Sequence, residues 1–165
     1  MEIKDNSLYF AKVRPEAIIP TKTDENAGYD IYACTDQDIV LEPHETKLIP
    51  TGIAAAVSKD YYLQIEERGS TGSKGIKRSA GVVDSGYRGE IFVAITNASD
   101  RPLVFCQNEM DTVNIPEARV YPLTKAIAQL IVHRVPKMNV KEIQYDDLIK
   151  IESDRGAGAL GSSNK

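Results

Sequence analysis

The sequence predicts an all-β fold, a sandwich or barrel with the jelly-roll types included, and two observations support that class. Short runs rich in Val, Ile and Tyr recur along the chain, and Gly, Pro, Asp or Asn stands at their ends. The turns between these runs fall at short and fairly regular intervals, which is typical of an all-β domain. The predicted strands lie within residues 27–34, 38–43, 46–57, 61–67, 90–97 and 126–135.

Length and composition indicate one globular domain over residues 1–165. Hydrophobic residues make up 42% of the chain and charged residues 27%, a balance typical of a folded protein rather than a disordered one. The N-terminal stretch MEIKDNSLYF is charged and has no apolar centre, so we expect no signal peptide. Cys34 and Cys106 form neither a disulfide framework nor a CxxC metal motif, and a reducing cytoplasm is the expected location.

The charge of the chain restricts its partners. A formal net charge of −4 argues against general binding to nucleic acid, and no apolar run is long enough to predict a membrane span. A small phosphorylated ligand would need only a local cluster of cations. Segment 66–75, EERGSTGSKG, has that composition, because its glycines allow close approach of the backbone and Arg68, Lys74 and the hydroxyl groups can bind phosphate. A turn-rich surface loop is the alternative interpretation.

Two acidic residues stand in strand-like surroundings. Asp30, in NAGYDIYA, would need a partner if buried and otherwise faces outward from its strand. Asp84 follows an apolar run in GVVDSGYRGEIFVAITN, residues 81–97, which we interpret as a β-hairpin. There Asp84 could orient a water as a general base, and the ring of Tyr87 could stack against a sugar. Alternatively, the DSG sequence simply forms the turn.

Two further segments differ from the strand pattern. Residues 100–124 form a long connection, for which an extra hairpin is the favoured structure and a docking surface for another protein the alternative. Residues 152–165 are rich in Gly and Ser, which predicts a flexible C-terminal arm. A frayed terminus is one interpretation of this arm. The other is a phosphate clamp that orders on binding, with Arg155 as its cation.

Taken together, these segments resemble the trimeric deoxyuridine triphosphatase (dUTPase) family, whose enzymes convert dUTP to dUMP and pyrophosphate. The ordered motifs of that family match AGYDI at 27–31, RGSTGSKG at 68–75, GVVDSGYRGEI at 81–91, AQLI at 128–131 and RGAGALGSS at 155–163. The resemblance covers most of the chain outside 100–124. It implies a β jelly-roll subunit and a homotrimer whose sites are assembled from several chains. It also implies an enzyme that limits uracil in DNA and supplies dUMP for dTMP synthesis.

The resemblance implies roles for individual residues. Asp84 would activate the water that attacks the α-phosphorus, and Tyr87 would pack under the deoxyribose where a 2′-hydroxyl does not fit. Asp30 would act through water on a phosphate-bound Mg²⁺, the expected cofactor. Main-chain groups near Gly81 and Phe92 would read the uracil. The implied substrate-binding residues are Arg68, Gly69, Ser70, Gly81, Val82, Val83, Tyr87, Phe92, Gln129, Arg155, Leu160, Gly161 and Ser162.

The chain departs from the family pattern in several places. Gly69 stands where the family usually has the serine that follows the motif-two arginine, and Ser70 comes next. Leu160 stands where the fifth motif usually has a phenylalanine over the uracil ring. The connection at 100–124 is longer than usual. Some phage-encoded relatives carry extra sequence there, so a phage or prophage origin is one interpretation.

The alternative functions on the same fold are a deoxycytidine triphosphate deaminase and a nucleotide-sensing regulatory protein. The GVVDSGYRGE sequence with Tyr87, together with the Arg-Gly-rich fifth motif, favours the triphosphatase over the deaminase. Asp84 and Arg155 favour catalysis over sensing alone. The expected partners are dUTP and further copies of the chain, with neither nucleic acid nor membrane, and residues 100–124 are a candidate surface for another protein.

Overall fold

The computed structural model describes residue 3 and residues 6–107 and 115–158, and its architecture confirms the all-β prediction. The helices among these residues are single turns, α1 (Gly69–Gly72) and α2 (Tyr145–Leu148). The strands are β1 (Tyr9–Lys12), β2 (Tyr29–Ile31), β3 (Ile39–Leu41), β4 (Thr46–Pro50), β5 (Ile53–Ala56), β6 (Tyr61–Glu66), β7 (Ile76–Ala80), β8 (Val82–Val83), β9 (Phe92–Asn97), β10 (Leu103–Cys106), β11 (Arg119–Pro122) and β12 (Ala128–Arg134).

The chain divides into two compact units, Met1–Val135 and Pro136–Lys165. Among the described residues, the first unit holds small sheets with the strand orders β2-β12-β6-β8, β4-β9-β7, β11-β10-β3 and β1-β5. Buried apolar side chains from the three larger sheets pack into one core, since burial of such surface is the main driving force of folding. Representative members of this core are Ile31, Leu130, Val93, Ile49 and Phe105.

The antiparallel pairing of β6 with β12 organises the largest sheet. Its register runs from Gln129 opposite Glu66 to Arg134 opposite Tyr61. Alternate residues of these strands face the core, where Leu63, Ile65 and Leu130 are at most 2% exposed. The pairing therefore places the start of β12, with the motif AQLI, beside the end of β6, which leads into the motif RGSTGSKG.

Residues 81–97 do not form the expected hairpin. β8 pairs with β6, whereas β9 pairs with β4 and β7, so the two strands belong to different sheets. The segment between β8 and β9 is hydrogen-bonded to the junction of β4 and β5. There the N–H of Ile91 donates to the carbonyl of Ile53 at 2.8 Å, and the Thr51 hydroxyl donates to the carbonyl of Ile91 at 2.5 Å. The chain thus crosses from one sheet to the other between β8 and β9.

Residues 46–57, expected as one strand, form β4 and β5. Gly52 separates them with φ of 65°, a left-handed conformation that a residue with a Cβ adopts only under strain. A Cβ there would also lie 2.8 Å from both the Ala17 Cβ and the Cys34 Sγ. The break lets β5 leave the sheet of β4 and pair with β1.

Within the described part of 100–124, expected as a long connection, the chain forms two strands, and these two strands do not pair with each other as a hairpin. β10 is buried throughout and pairs antiparallel with β3 but parallel with β11, whereas hairpin strands run antiparallel. Pro122 closes β11 at the edge of the sheet, where a missing N–H breaks no ladder, so a proline-containing segment can still be a strand. The connection is confined to 107–118, of which 108–114 lie outside the described residues.

The second unit carries α2 within its described residues, 136–158. Gln144 precedes this helix with an extended backbone, and Asp146 and Asp147 lie in its first turn, where negative charge is favourable. The last residues of the expected arm, 159–165, lie outside the described part of the chain. No helix within the described ranges is long and apolar enough to cross a membrane.

Candidate active site

Arg68 and Asp30, both predicted site residues, form an ion pair. Arg68 lies two residues after the end of β6, and its Nε lies 3.0 Å from Oδ1 of Asp30 in β2, while its Nη2 donates to Oδ2 at 3.4 Å. Its Nη1 also donates to the carbonyl of Ala126 at 3.2 Å. The side chains of Arg68 and Asp30 are 31% and 36% exposed, so water screens the pair in part. A planar guanidinium held in this way can present its remaining N–H groups to phosphate oxygens.

Gln129 lies beside this pair. It stands opposite Asp30 in the pairing of β2 with β12, and its Nε2 donates to the carbonyl of Glu67 at 2.8 Å. A Cβ on Gly28 would lie only 2.5 Å from Oε1 of Gln129, so the glycine of AGYDI makes room for the glutamine of AQLI. The structure thereby brings together Asp30, Arg68 and Gln129, which come from three separate motifs.

The glycine-rich sequence after Arg68 forms α1. The hydroxyl of Thr71 accepts the N–H of Arg68 at 3.1 Å and donates to the Arg68 carbonyl at 3.0 Å, which closes the turn. Thr71 is fully buried, whereas the predicted residues Gly69 and Ser70 are exposed. A Cβ on Gly69 would meet no atom within 4 Å, so the space around this position would also admit a serine.

Tyr121 adjoins the same cluster, although no sequence pattern pointed to it. Its hydroxyl donates to the carbonyl of Ala126 at 2.7 Å, the same carbonyl that accepts from Arg68. Burial raises the pKa of Tyr121, and the nearby Arg68 and Ser70 side chains lower it to a smaller extent. A tyrosine in a four-residue strand carries no local signal of such a position, because the contact depends on how distant strands pair.

The third motif lines a separate cavity of about 270 Å³ beside β8 and the start of β9. The Tyr87 hydroxyl donates to the carbonyl of Glu90 at 2.9 Å, and the Tyr87 N–H donates to the carbonyl of Asp84 at 3.0 Å. A Cβ on Gly89 would lie 2.5 Å from the Tyr87 hydroxyl oxygen, so this glycine lets the ring fold over its own loop. The lining residues are Val82, Val83, Asp84, Tyr87, Glu90, Ile91 and Phe92.

Gly81 lies where the chain passes from β7 to β8. Its carbonyl accepts the N–H of Ile65 at 2.7 Å. A Cβ at this position would lie 2.6 Å from the Ile65 carbonyl oxygen and 2.7 Å from Nε2 of Gln64. The close approach of two backbones therefore requires glycine here.

Within one chain, the two groups of predicted residues lie apart. Val83 stands opposite Leu63 in the antiparallel pairing of β8 with β6, so Asp84 continues opposite Tyr62. About six residues separate Tyr62 from Arg68 along β6 and its continuation, which corresponds to roughly 20 Å at about 3.3 Å per residue. Within one chain we therefore expect the backbones of Asp84 and Arg68 to lie roughly 20 Å apart.

Arg155 lies in the second unit. Its Nε donates to the carbonyl of Gly158 at 3.0 Å, and its backbone N–H donates to Oγ of Ser153 at 3.3 Å. These contacts fold a local turn around the arginine. The predicted site residues outside the described part of the chain are Leu160, Gly161 and Ser162.

A larger cavity of about 600 Å³ lies elsewhere in the first unit. Arg14, Glu16, Cys34 and Gln107 contribute to its wall, and none of the predicted site residues does. Burial raises the pKa of the Cys34 thiol, so this cysteine stays protonated at neutral pH. Because the motif residues gather at the other two places, we assign the candidate active site to those places rather than to the larger cavity.

An all-β chain with an oriented arginine beside an aspartate and a glutamine on one set of strands, and with a carboxylate and an aromatic ring in a separate cavity, has the parts of a nucleotide-binding jelly-roll protein. The dUTPase family model matches residues 14–110. A deoxyuridine 5′-triphosphate nucleotidohydrolase of Nautilia profundicola is 31% identical over 162 residues, which cover 96% of this chain and 99% of the relative. The chain belongs to the dUTPase family.

Solved structures share the fold. A mutant dUTPase of Staphylococcus bacteriophage 80alpha with dUpNHpp has a TM-score of 0.75 and 22% identity, covering 96% of this chain and 99% of the phage chain. A mutant dUTPase from phage phi11 of S. aureus, described for its coordination of a structural Mg(II) ion, has a TM-score of 0.68 and 21% identity, covering 84% and 97%. At such identities the likeness establishes the fold.

We expect Gly81→Ala to destabilise the protein and Gly69→Ala to leave it unchanged. The methyl group at Gly81 would overlap the Ile65 carbonyl, which cannot move without disturbing the pairing of β6 with β8. The free energy of unfolding should fall by ~1–3 kcal/mol. Gly69→Ala adds the same group to open space and should stay within ~0.5 kcal/mol of the wild type. Urea unfolding at one protein concentration measures both, and equal midpoints would contradict the steric argument.

Proposed function

We propose that this chain hydrolyses dUTP to dUMP and pyrophosphate, with Asp84 as the group that activates water. The observation that carries the proposal is the cavity lined by Asp84, Tyr87 and Phe92, in a chain aligned over nearly its whole length with a deoxyuridine 5′-triphosphate nucleotidohydrolase. The water oxygen would add to the α-phosphorus while its proton passes to the Asp84 carboxylate. The bond from the α-phosphorus to the bridging oxygen would break, and pyrophosphate would leave.

Selection of the base and the sugar would occur in the same cavity. Main-chain groups near Gly81 and Phe92 would read uracil. Cytosine presents a donor where uracil presents an acceptor, and one mismatched buried polar group costs ~1–3 kcal/mol. Tyr87, whose hydroxyl is already bound to the carbonyl of Glu90, would offer its ring face to the deoxyribose and leave no room for a 2′-hydroxyl.

The triphosphate would lie along Arg68, Ser70 and Gln129. The ion pair with Asp30 supports this role for Arg68, because a guanidinium already fixed in orientation loses less conformational freedom when phosphate binds. Ser70 is exposed on α1 and can donate its hydroxyl. Such chemistry depends on positioning and on neutralisation of charge more than on covalent catalysis.

Mg²⁺ is the proposed cofactor, by analogy with the structural Mg(II) ion of the phage phi11 relative. The described residues contain no group of three or more His, Cys, Asp or Glu that could hold a metal by themselves. Asp30 fits a contact through water, since its oxygens face Arg68 but keep lone pairs for a further hydrogen bond. Mg²⁺ retains waters and binds substrate phosphates, so it would neutralise their charge without a full set of protein ligands.

We propose further that neighbouring chains of a homotrimer complete each site. The distance of roughly 20 Å between Asp84 and Arg68 within one chain supports this arrangement, because a nucleotide that contacts both would need them from different subunits. A third contribution would come from the C-terminal arm, which would bring Arg155 to the γ-phosphate and Leu160 over the uracil. Closure of the arm would exclude water from the site.

Release of pyrophosphate from dUTP, dTTP, dCTP and UTP, measured in parallel with Mg²⁺ and with a chelator, tests the proposed activity. We expect pyrophosphate release from dUTP alone and loss of activity in the chelator. dTTP and dCTP test recognition of the base, UTP tests recognition of the sugar, and the chelator tests the need for Mg²⁺. Ammonia released from dCTP would indicate a deaminase instead. Binding of dUTP without turnover would indicate a nucleotide sensor.

Mixing two inactive variants tests the shared site. Asp84→Asn and Arg68→Gln should each abolish most of the activity when expressed alone. If each site takes Asp84 from one chain and Arg68 from another, random mixed trimers should hold both residues in about one quarter of their sites. Co-expression should therefore restore about a quarter of the wild-type turnover. The control is Asp84→Asn co-expressed with itself, and a mixture as inactive as this control would place the whole site within one chain.

Deletion of residues 154–165 tests the arm. We expect kcat for dUTP to fall by about 100-fold, since the deletion removes Arg155 and the cover over the site. A shorter deletion of residues 164–165 serves as the matched control and should retain activity. Turnover that is unchanged after the longer deletion would show that the arm does not close the site.

A further inference from the structure

The Ala126 carbonyl is a shared acceptor that joins Tyr121 to Arg68. The Tyr121 hydroxyl donates to it at 2.7 Å and Arg68 Nη1 donates at 3.2 Å, so the hydroxyl and the guanidinium lie side by side. Tyr121 is 4% exposed. A buried hydroxyl is costly unless it is hydrogen-bonded, so its geometry is closely determined by these partners.

The Tyr121 hydroxyl remains a donor at neutral and mildly alkaline pH. Burial raises the pKa of Tyr121, and the nearby Arg68 and Ser70 side chains lower it to a smaller extent. The turn after Arg68 is closed by the Thr71 hydroxyl, which bonds the N–H and the carbonyl of Arg68. The orientation of the Arg68 guanidinium therefore depends on Asp30 and on the Ala126 carbonyl that it shares with Tyr121.

The strand that carries Tyr121 is itself fixed against its surroundings. The rings of Tyr121 and Phe105 pack edge to face with centroids 5.6 Å apart. At the start of β11, the Arg119 guanidinium donates to the carbonyl of Lys74 in the glycine-rich loop and, at 2.7 Å, to Oδ1 of the buried Asn97. β11 is therefore attached to the loop of the second motif through Arg119, and its Tyr121 meets Arg68 at the shared Ala126 carbonyl.

We propose that Tyr121 is a positioning residue that holds Arg68 in place for the phosphates of the substrate. The inference rests on the proposed function, because it assigns Arg68 to the triphosphate. Tyr121 would touch neither the substrate nor the metal. It would act at the shared Ala126 carbonyl, by limiting the orientations of the guanidinium before the ligand arrives.

Tyr121→Phe isolates this role. The phenyl ring keeps the contact with Phe105, and the Ala126 carbonyl keeps Arg68 as a donor, so no buried acceptor is left without a partner. The matched control is Tyr61→Phe, which removes a hydroxyl that donates to Oδ1 of Asn6 at 2.8 Å and belongs to neither part of the site. The two variants lose the same group in different places.

Binding of inorganic triphosphate and of 2′-deoxyuridine, each followed by NMR titration of the protein, separates positioning from stability. For Tyr121→Phe we expect the dissociation constant for inorganic triphosphate and the KM for dUTP to rise about fivefold. Affinity for 2′-deoxyuridine and the melting temperature should match those of Tyr61→Phe. No other amino acid places a hydroxyl where that of Tyr121 lies. The comparison of inorganic triphosphate with 2′-deoxyuridine therefore distinguishes a positioning role from a purely structural one.

Two results would overturn the proposal. Equal weakening of triphosphate and 2′-deoxyuridine binding would show that the hydroxyl only supports the fold. Triphosphate binding equal to that of Tyr61→Phe would show that Arg68 does not need the Tyr121 hydroxyl. A wild-type protein that releases no pyrophosphate from dUTP would instead refute the proposed function, and the titration with inorganic triphosphate would still decide the role of Tyr121.

Discussion

The pairing of β6 with β12 is the constraint on which both halves of the candidate site depend. At one end of this pairing Gln129 stands beside Asp30, and the chain that leaves β6 continues into Arg68. Towards the other end, β8 extends the same sheet and leads to Asp84. A slip of one residue would turn the side chains of β12 to the opposite face, with loss of both core packing and the cluster at Gln129. Stability and site geometry therefore depend on the same register.

The positive charge of Arg68 has to be used locally, because the chain as a whole is acidic. A protein with a net charge of −4 that binds a polyanion must concentrate positive charge in a small region. Asp30 offsets part of the Arg68 charge, yet it fixes the direction of the guanidinium, and a bidentate contact depends on direction as much as on charge. Local order around one arginine can in this way take the place of a broad basic surface.

Features of the fold and of the candidate site that depend on residues close together in the sequence were predicted, whereas features that depend on the pairing of distant strands were not. The all-β class came from short apolar runs and turn residues, and the joint lining of one cavity by Asp84 and Tyr87 follows from their short separation in one motif. The hairpin expected at 81–97 was wrong, and strands β10 and β11 were not expected within 100–124, because strand partners are chosen by contacts between residues far apart in the chain. Tyr121 was missed for the same reason, since only the fold brings β11 against the second motif.

The parallel pairing of β10 with β11 determines how freely the connection between these two strands can vary in length and sequence. Parallel strands cannot be joined by a tight turn, so the connection between β10 and β11 has a minimum length. Above that minimum, each doubling of a flexible loop costs only ~0.6 kcal/mol of closure entropy. Descendants of one ancestral gene could therefore acquire different sequences at this point while the buried strands stay the same. A protein engineer could use the same position to graft an epitope or a small binding module.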